Sequence, residues 1–220
     1  MSLNTILNTK LDIYYVLEEL SKTNPLFNSE LEFQFYLAWK IKEIYSNNYK
    51  ICIEYPLKNY QEKNRNIDLV LVTKNGSLIP IELKYKTSKF EYLFNSVEYK
   101  LKDQSANDLS KYGHLKDISR IEHFKETENT FLVGYAITLT NQVKTWQKIS
   151  NSEQTDFEFS LEDSTKIYKG TKKWHKCHSD YNQKTYPSLT LKNDYLINWR
   201  DFKIFDKRNG IFKVLVTEVK

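Results

Sequence analysis

Three charged residues stand in otherwise apolar stretches. Asp68 lies within Asn66-Ile67-Asp68-Leu69-Val70-Leu71-Val72, and Glu82 and Lys84 lie within Ile79-Pro80-Ile81-Glu82-Leu83-Lys84. Burying ionised groups among such neighbours is costly unless a counter-ion or partner offsets it. A pair of carboxylates offers hard oxygen ligands, which suit Mg²⁺ or Mn²⁺ with open water positions. A phosphodiester would supply a further ligand. Such a metal polarises the phosphoryl oxygen and helps generate hydroxide, while Lys84 would orient the attacking water or neutralise developing charge. The plainer alternative is a wet sheet face carrying a cross-strand salt bridge. Val70, Val72 and Pro80, apolar neighbours on the same face, argue against it.

These residues meet only if their strands lie side by side. Residues 67–72 and 78–85 read as strands joined at Lys74-Asn75-Gly76, a hairpin signal. Alternation puts Glu82 and Lys84 on one face and Ile79, Ile81 and Leu83 on the other. Turn length then decides where Asp68 goes. A two-residue turn pairs Lys74 with Ser77 and sends Asp68 opposite Leu83, to the wrong face. A three-residue turn pairs Thr73 with Ser77 and puts Asp68 opposite Glu82; its last residue is commonly left-handed, which suits Gly76. The three-residue turn is expected, with carboxylates roughly 5 Å apart at Cβ that repel unless a cation lies between them.

Around this hairpin the chain reads as alternating elements. An amphipathic helix is expected over residues 1–20, broken at Asn24-Pro25. Ser29 and Glu32 stand at capping-box spacing ahead of a stripe of Phe33, Tyr36, Leu37, Ile41 and Ile44, with Glu30 and Gln34 one turn apart on a neighbouring face. Residues 49–55 read as a strand ended by Pro56, followed by a polar loop. Beyond Lys86 the pattern turns helical. Leu109, Tyr112, Leu115, Ile118 and Ile121 recur at steps of three, with Lys111, Lys116 and Arg120 elsewhere on the helix and Gly113 a weak spot within it. Residues 131–139 read as a strand, and shorter strands are expected near 157–161, 188–191 and 212–219, with turns at Gly170 and Asn209-Gly210.

The order of helix, strand, hairpin, triplet, helix and strand resembles the PD-(D/E)XK, or restriction endonuclease-like, nuclease superfamily. Asp68 and the triplet Glu82-Leu83-Lys84 carry the resemblance, with Ile67 where the motif's name has proline. It spans roughly residues 29–139. Ala106-Asn107-Asp108-Leu109 and Lys116-Asp117-Ile118-Ser119-Arg120-Ile121-Glu122 are similar to uncharacterised prokaryotic members. The resemblance implies Asp68 and Glu82 as metal ligands and Lys84 as the catalytic lysine. It also implies an acid from the preceding helix: Glu30, with Glu32 and Gln34 as rivals and Glu54 at the rim. The helix after the triplet would line a nucleic-acid groove with Lys111, Lys116 and Arg120. The implied fold is α/β, a mixed central sheet flanked by helices. It divides as an N-terminal helical segment (1–28), a nuclease core (29–140) and a β-rich C-terminal extension packed on the same domain (141–220). The implied activity is Mg²⁺-dependent phosphodiester hydrolysis, of DNA before RNA, with a homodimer allowed. The rival readings are a catalytically inactive nucleic-acid-binding module of the same fold, or an interaction subunit of a larger complex.

The remaining features are consistent with a globular protein. Its 220 residues can bury a core without a disulfide or metal staple. A net charge of +5 permits a polyanionic partner without demanding one. The two cysteines, Cys52 and Cys177, make no disulfide framework, and no export or membrane-spanning segment is read, so a cytoplasmic setting is expected. Cys52 reads as a core thiol. Trp174-His175-Lys176-Cys177-His178 fits no common zinc spacing and reads as a turn with Trp174 inward. Tyr181, Tyr186, Trp199 and Phe202 interleave with basic residues, which suits either base stacking or core packing.

Overall fold

The computed structural model describes residues 10–58, 66–104, 106–149, 153–175 and 185–220. It is an α/β structure in which a mixed six-stranded sheet is covered on both faces. Helix α1 (Ile13–Thr23) is capped by Asp12, whose carboxylate accepts from Tyr14 N and Tyr15 N. Helix α2 (Glu30–Tyr45) begins at Ser29, whose hydroxyl accepts from Glu32 N at 3.1 Å. Glu32 reaches back to Asn28 N, one residue beyond the usual capping-box partner. The part of the expected first helix over residues 1–9 lies outside the described residues.

Strands β1 (Tyr49–Pro56), β2 (Asn66–Thr73) and β3 (Leu78–Lys86) run antiparallel in sequence. A small hairpin, β4 (Phe90–Phe94) and β5 (Val97–Leu101), follows, then the long helix α3 (Asn107–Thr127) and β6 (Gly134–Thr140), which lies parallel to β3. Short strands β7 (Thr165–Ile167), β8 (Gly170–Lys172), β9 (Leu189–Leu191) and β10 (Tyr195–Ile197) form two-stranded pairs. Finally β11 (Trp199–Ile204) and β12 (Ile211–Val219) return to the central sheet, whose order is β1-β2-β3-β6-β12-β11.

Two apolar layers hold the sheet. Alternate residues of β3, Ile79, Ile81, Leu83 and Tyr85, pack with Val16, Leu20, Phe33, Leu37 and Ile41 of α1 and α2. On the opposite face Leu115, Ile118 and Ile121 of α3 meet Ala136, Leu215 and Val219, together with Phe159, Leu161, Leu191 and Ile197 from the C-terminal third. Helix α3 therefore lies between the sheet and residues 153–197, buried on most of its circumference. The C-terminal third is not an appendage. It covers α3, and β12 pairs with β6 from Lys213 to Val219 inside the central sheet.

Some expected elements differ. Beyond Lys86, where a helical pattern is expected, the β4–β5 hairpin comes first; its turn uses Asn95 and Ser96, both with positive φ, the geometry of a tight hairpin turn without glycine. Around Phe157 the backbone makes a 3-10 turn (Phe157–Phe159) rather than a strand. Cys52 is only half-buried. No described helix is long and apolar enough to cross a membrane.

His114 on α3 clamps the second layer, with Nδ1 2.8 Å from Thr138 Oγ1 on β6 and Nε2 2.9 Å from Thr217 Oγ1 on β12. Burial, reinforced by the Lys84 charge, pushes its pKa from 6.5 down to about 3. Its contribution to stability is then complete above pH 6.5 and lost as pH falls towards 3, by at most about 1.4 kcal/mol per pH unit. Urea titrations from pH 8 to 4 should show this loss, and His114→Gln should flatten it; an unchanged slope would count against the clamp.

Two glycines should respond in opposite ways. A methyl group on Gly113, inside α3, meets only Lys84 Cε at 3.6 Å and Cδ at 3.8 Å, so Gly113→Ala should stabilise by about 0.5–1 kcal/mol. A methyl group on Gly134 collides with Ile121 Cγ2 and crowds Pro80 Cγ at 3.1 Å, so Gly134→Ala should cost about 1–3 kcal/mol. Thermal melts of both variants test the packing of α3 on the sheet.

Candidate active site

The geometry starts from the β2–β3 turn. Thr73 N donates to Ser77 O at 2.9 Å and Gly76 has φ +84°, so the loop is Lys74-Asn75-Gly76. The ladder then pairs Val72 with Leu78 and ends at Leu69 with Ile81; one step further along this register Asp68 lies level with Glu82. There the two strands stop pairing. The N–H groups of β3 that lose strand partners are taken by carboxylates: Leu83 N donates to Asp68 Oδ2 at 2.7 Å, and Tyr85 N donates to Glu30 Oε2 at 2.8 Å.

The other edge of β2 is irregular too. Glu54 has φ +52° and drops out of the β1–β2 ladder, which resumes at Tyr55 with Ile67. Gln34 of α2 donates to Asp68 O at 2.6 Å. Asn66 pairs with Pro56, which has no N–H to give, and Arg120 donates to Asn66 O instead. Asp68 is thus held through both side chain and backbone.

Glu82 is fully buried beneath α3. Arg120 Nη1 lies 3.0 Å from Glu82 Oε1, close enough for an ion pair but not aligned as a hydrogen bond. Neither Glu82 oxygen has a hydrogen-bond partner among the described residues. Burial raises the Glu82 pKa well above the usual carboxylate range; the Asp117 charge adds to this and the Arg120 charge opposes it. Asp117 is buried as well, its pKa pushed from 3.8 to about 6 by burial against the counteracting charges of Lys84 and Arg120.

Lys84 Nζ lies 3.1 Å from Asp117 Oδ2, 4.0 Å from Glu30 Oε1 and donates to Leu83 O at 2.8 Å. Burial alone would lower its pKa, but the carboxylates of Asp117, Glu30, Asp68 and Glu82 together hold it above the ordinary lysine value. These neighbours therefore favour the charged form of Lys84. It is suited to stabilising negative charge, not to abstracting a proton. Lys84 and Glu30 retain some solvent contact while Glu82 has none.

The structure thus brings Asp68, Glu82, Lys84 and Glu30 to one place. Glu30 is used differently from expectation, its oxygens engaged by Tyr85 N and the Lys84 ammonium. Lys111 and Arg120 are not groove-lining cations here: both are buried. Lys111 Nζ pairs with Asp156 Oδ2 at 2.9 Å, and Arg120 joins the site. Lys116 is half-buried on α3. Asp117 was missed by the sequence reading. Gly113, Asp117, Arg120 and Phe124 follow helical spacing along the face turned to β2 and β3, a signal visible as two charges in line with an apolar residue. Cys177 and His178 lie outside the described residues. Trp174 does pack inward, stacked on Tyr112.

Two hydrogen-bond-free buried carboxylate oxygens beside a second carboxylate suit a hard divalent cation such as Mg²⁺. Among the described residues no group of three or more His, Cys, Asp or Glu side chains is placed to hold a metal ion, so Asp68, Glu82 and Glu30 do not form the three-acid ligand set expected from the resemblance. Compared with protein-family models and with curated proteins, the sequence matches none.

The Arg120 contact makes a prediction. Removing it leaves Glu82 buried without compensation, so Arg120→Leu should destabilise by about 3–5 kcal/mol. Glu82→Gln in the same chain should restore much of that loss. A double-mutant cycle in urea measures the coupling; additive effects would mean that the two groups do not compensate one another.

Proposed function

We propose that the protein is a metal-dependent phosphodiesterase of the PD-(D/E)XK type, with a restriction endonuclease-like arrangement of its mixed sheet, acting on nucleic acid and on DNA before RNA. The observation that carries this reading is the convergence of Asp68, Glu82 and Lys84 where β2 parts from β3. Asp68 and Glu82 would hold Mg²⁺ or Mn²⁺, which when bound polarises the phosphoryl oxygen and lowers the pKa of water. The chain's own groups do the rest. Lys84, kept protonated, donates to oxygen charge that develops on the phosphoryl group. Asp117 and Glu30 fix the position of its ammonium, and Glu30 also anchors Tyr85 N.

One observation favours a second reading. Arg120 Nη1 lies against Glu82 where a cation would be needed, as suits an inactive nucleic-acid-binding module of the same architecture. Incubating purified protein with plasmid, single-stranded DNA and RNA, each with Mg²⁺ or Mn²⁺, separates the two. Cleavage that needs the metal is expected. Lys84→Ala and Glu82→Ala should reduce it at least about 100-fold while retaining most binding. Persistent cleavage in both variants would sink the site, and binding without cleavage in the native protein would select the module.

A further inference from the structure

Helix α2 turns Leu31, Phe35 and Trp39 away from the core at i, i+4 and i+8, and the two rings are 52% and 62% exposed. Phe35 and Trp39 stack with centroids 6.2 Å apart, and Phe35 packs T-shaped against Tyr36 at 5.3 Å, so its ring is held between two neighbours. Leu31, Phe35 and Tyr36 of α2, with Ile53 of β1, line a cleft of about 440 Å³, within the range of small-ligand sites. Single exposed apolar residues are ordinary, but an aromatic ridge beside a cleft marks an interaction surface.

Two polar groups give this cleft its chemistry. Gln34 lines it although the residue is only 5% exposed. Its Nε2 donates to Asp68 O at 2.6 Å; a carbonyl can only accept, so this bond fixes which end of the amide is which. Oε1 is the end left over, and it has no partner among the described residues. A buried acceptor without a partner is costly, so a donor belongs there. Glu32 lines the same cleft, its carboxylate oriented by Asn28 N and Asn28 Nδ2. Both groups accept, which suits a flat ligand carrying N–H groups on one edge.

Gln34 also joins the cleft to the candidate active site, because the backbone that it holds is that of Asp68. A phosphodiester at Asp68 and Glu82 is thus one side chain away from the cleft. A base in a duplex has its pairing edge engaged and its faces stacked, whereas an unpaired base offers both. Its ring suits Phe35, and an exocyclic amine suits the oxygens of Gln34 and Glu32. Thymine turns carbonyl oxygens to the same edge and would meet acceptor with acceptor. We infer that this cleft takes one unpaired, amino-bearing nucleobase of the substrate strand, stacked on Phe35 and read by Gln34 and Glu32. The inference rests on the nucleic-acid reading above and makes the substrate one with an unpaired base beside the scissile phosphate.

Binding of labelled oligo(dC), oligo(dT) and duplex DNA, followed by anisotropy in EDTA so that nothing is cut, tests it. Oligo(dC) should bind more tightly than oligo(dT) and quench fluorescence in a manner lost with Trp39→Phe. Phe35→Ala should weaken oligo(dC) binding at least about tenfold and leave duplex affinity unchanged. Glu32→Gln, which keeps an acceptor for Asn28, should bring oligo(dC) and oligo(dT) closer together with a melt like the native protein's. Leu196→Ala, an equally exposed site on β10, should change nothing. Equal affinity for the two oligonucleotides overturns the inference, as does a Phe35→Ala variant that binds oligo(dC) like the native protein or loses duplex equally. If the native protein still cleaves with Mg²⁺ in that event, the nuclease reading stands without the base site. A native protein that neither binds nor cleaves any nucleic acid overturns both.

Discussion

The structure depends on the place where β2 leaves β3. Backbone N–H groups inside a protein must be satisfied, and β3 continues past the end of its antiparallel ladder. Leu83 N and Tyr85 N therefore need acceptors on that side, which Asp68 and Glu30 provide. One constraint thus sets two acids along the strand edge and ties the start of α2 to the sheet. The irregularities of β1 serve the same end. The turn of Glu54 out of the ladder and the missing donor of Pro56 are made good by Gln34 and Arg120, which fasten β2 from above and below.

A cluster of buried carboxylates is electrostatically costly unless positive charge is set beside it. Helix α3 supplies it through Arg120, and Asp117 on the same face holds the Lys84 ammonium. Helix α3 in turn must be pressed against the sheet. Gly134 permits the close approach of Ile121, His114 ties the helix to β6 and β12, and the C-terminal third closes over its outer face. Glu122 secures that cover by accepting from Lys192 N, Asn193 N and the Tyr195 hydroxyl. The C-terminal residues are remote in sequence from Glu82, yet they complete the layer that buries it.

Much of this was legible where local physics decides. The three-residue turn followed from the face requirement of Asp68 and from Gly76, and the register agrees. The start of α2 followed from Ser29 and Glu32. The β4–β5 hairpin was not legible, because Asn95-Ser96 lacks the glycine that usually marks such turns. The surroundings of Lys111 and Arg120 were not legible either. A charged residue beside an apolar stripe reads as a solvated face, and only the partner opposite it, Asp156 or Glu82, shows otherwise.

By itself the sequence determined the things that periodicity, turn chemistry and capping control: which residues of β3 share a face, which turn aligns Asp68 with Glu82, and where α2 begins. The tertiary structure decided what each charge is for. It turned Glu30 to the backbone of β3, drew Arg120 and Asp117 into the site, and put two C-terminal strands in the central sheet. The reason is physical: a residue's periodicity is a property of its own segment, whereas burial and charge compensation depend on segments far away in the chain.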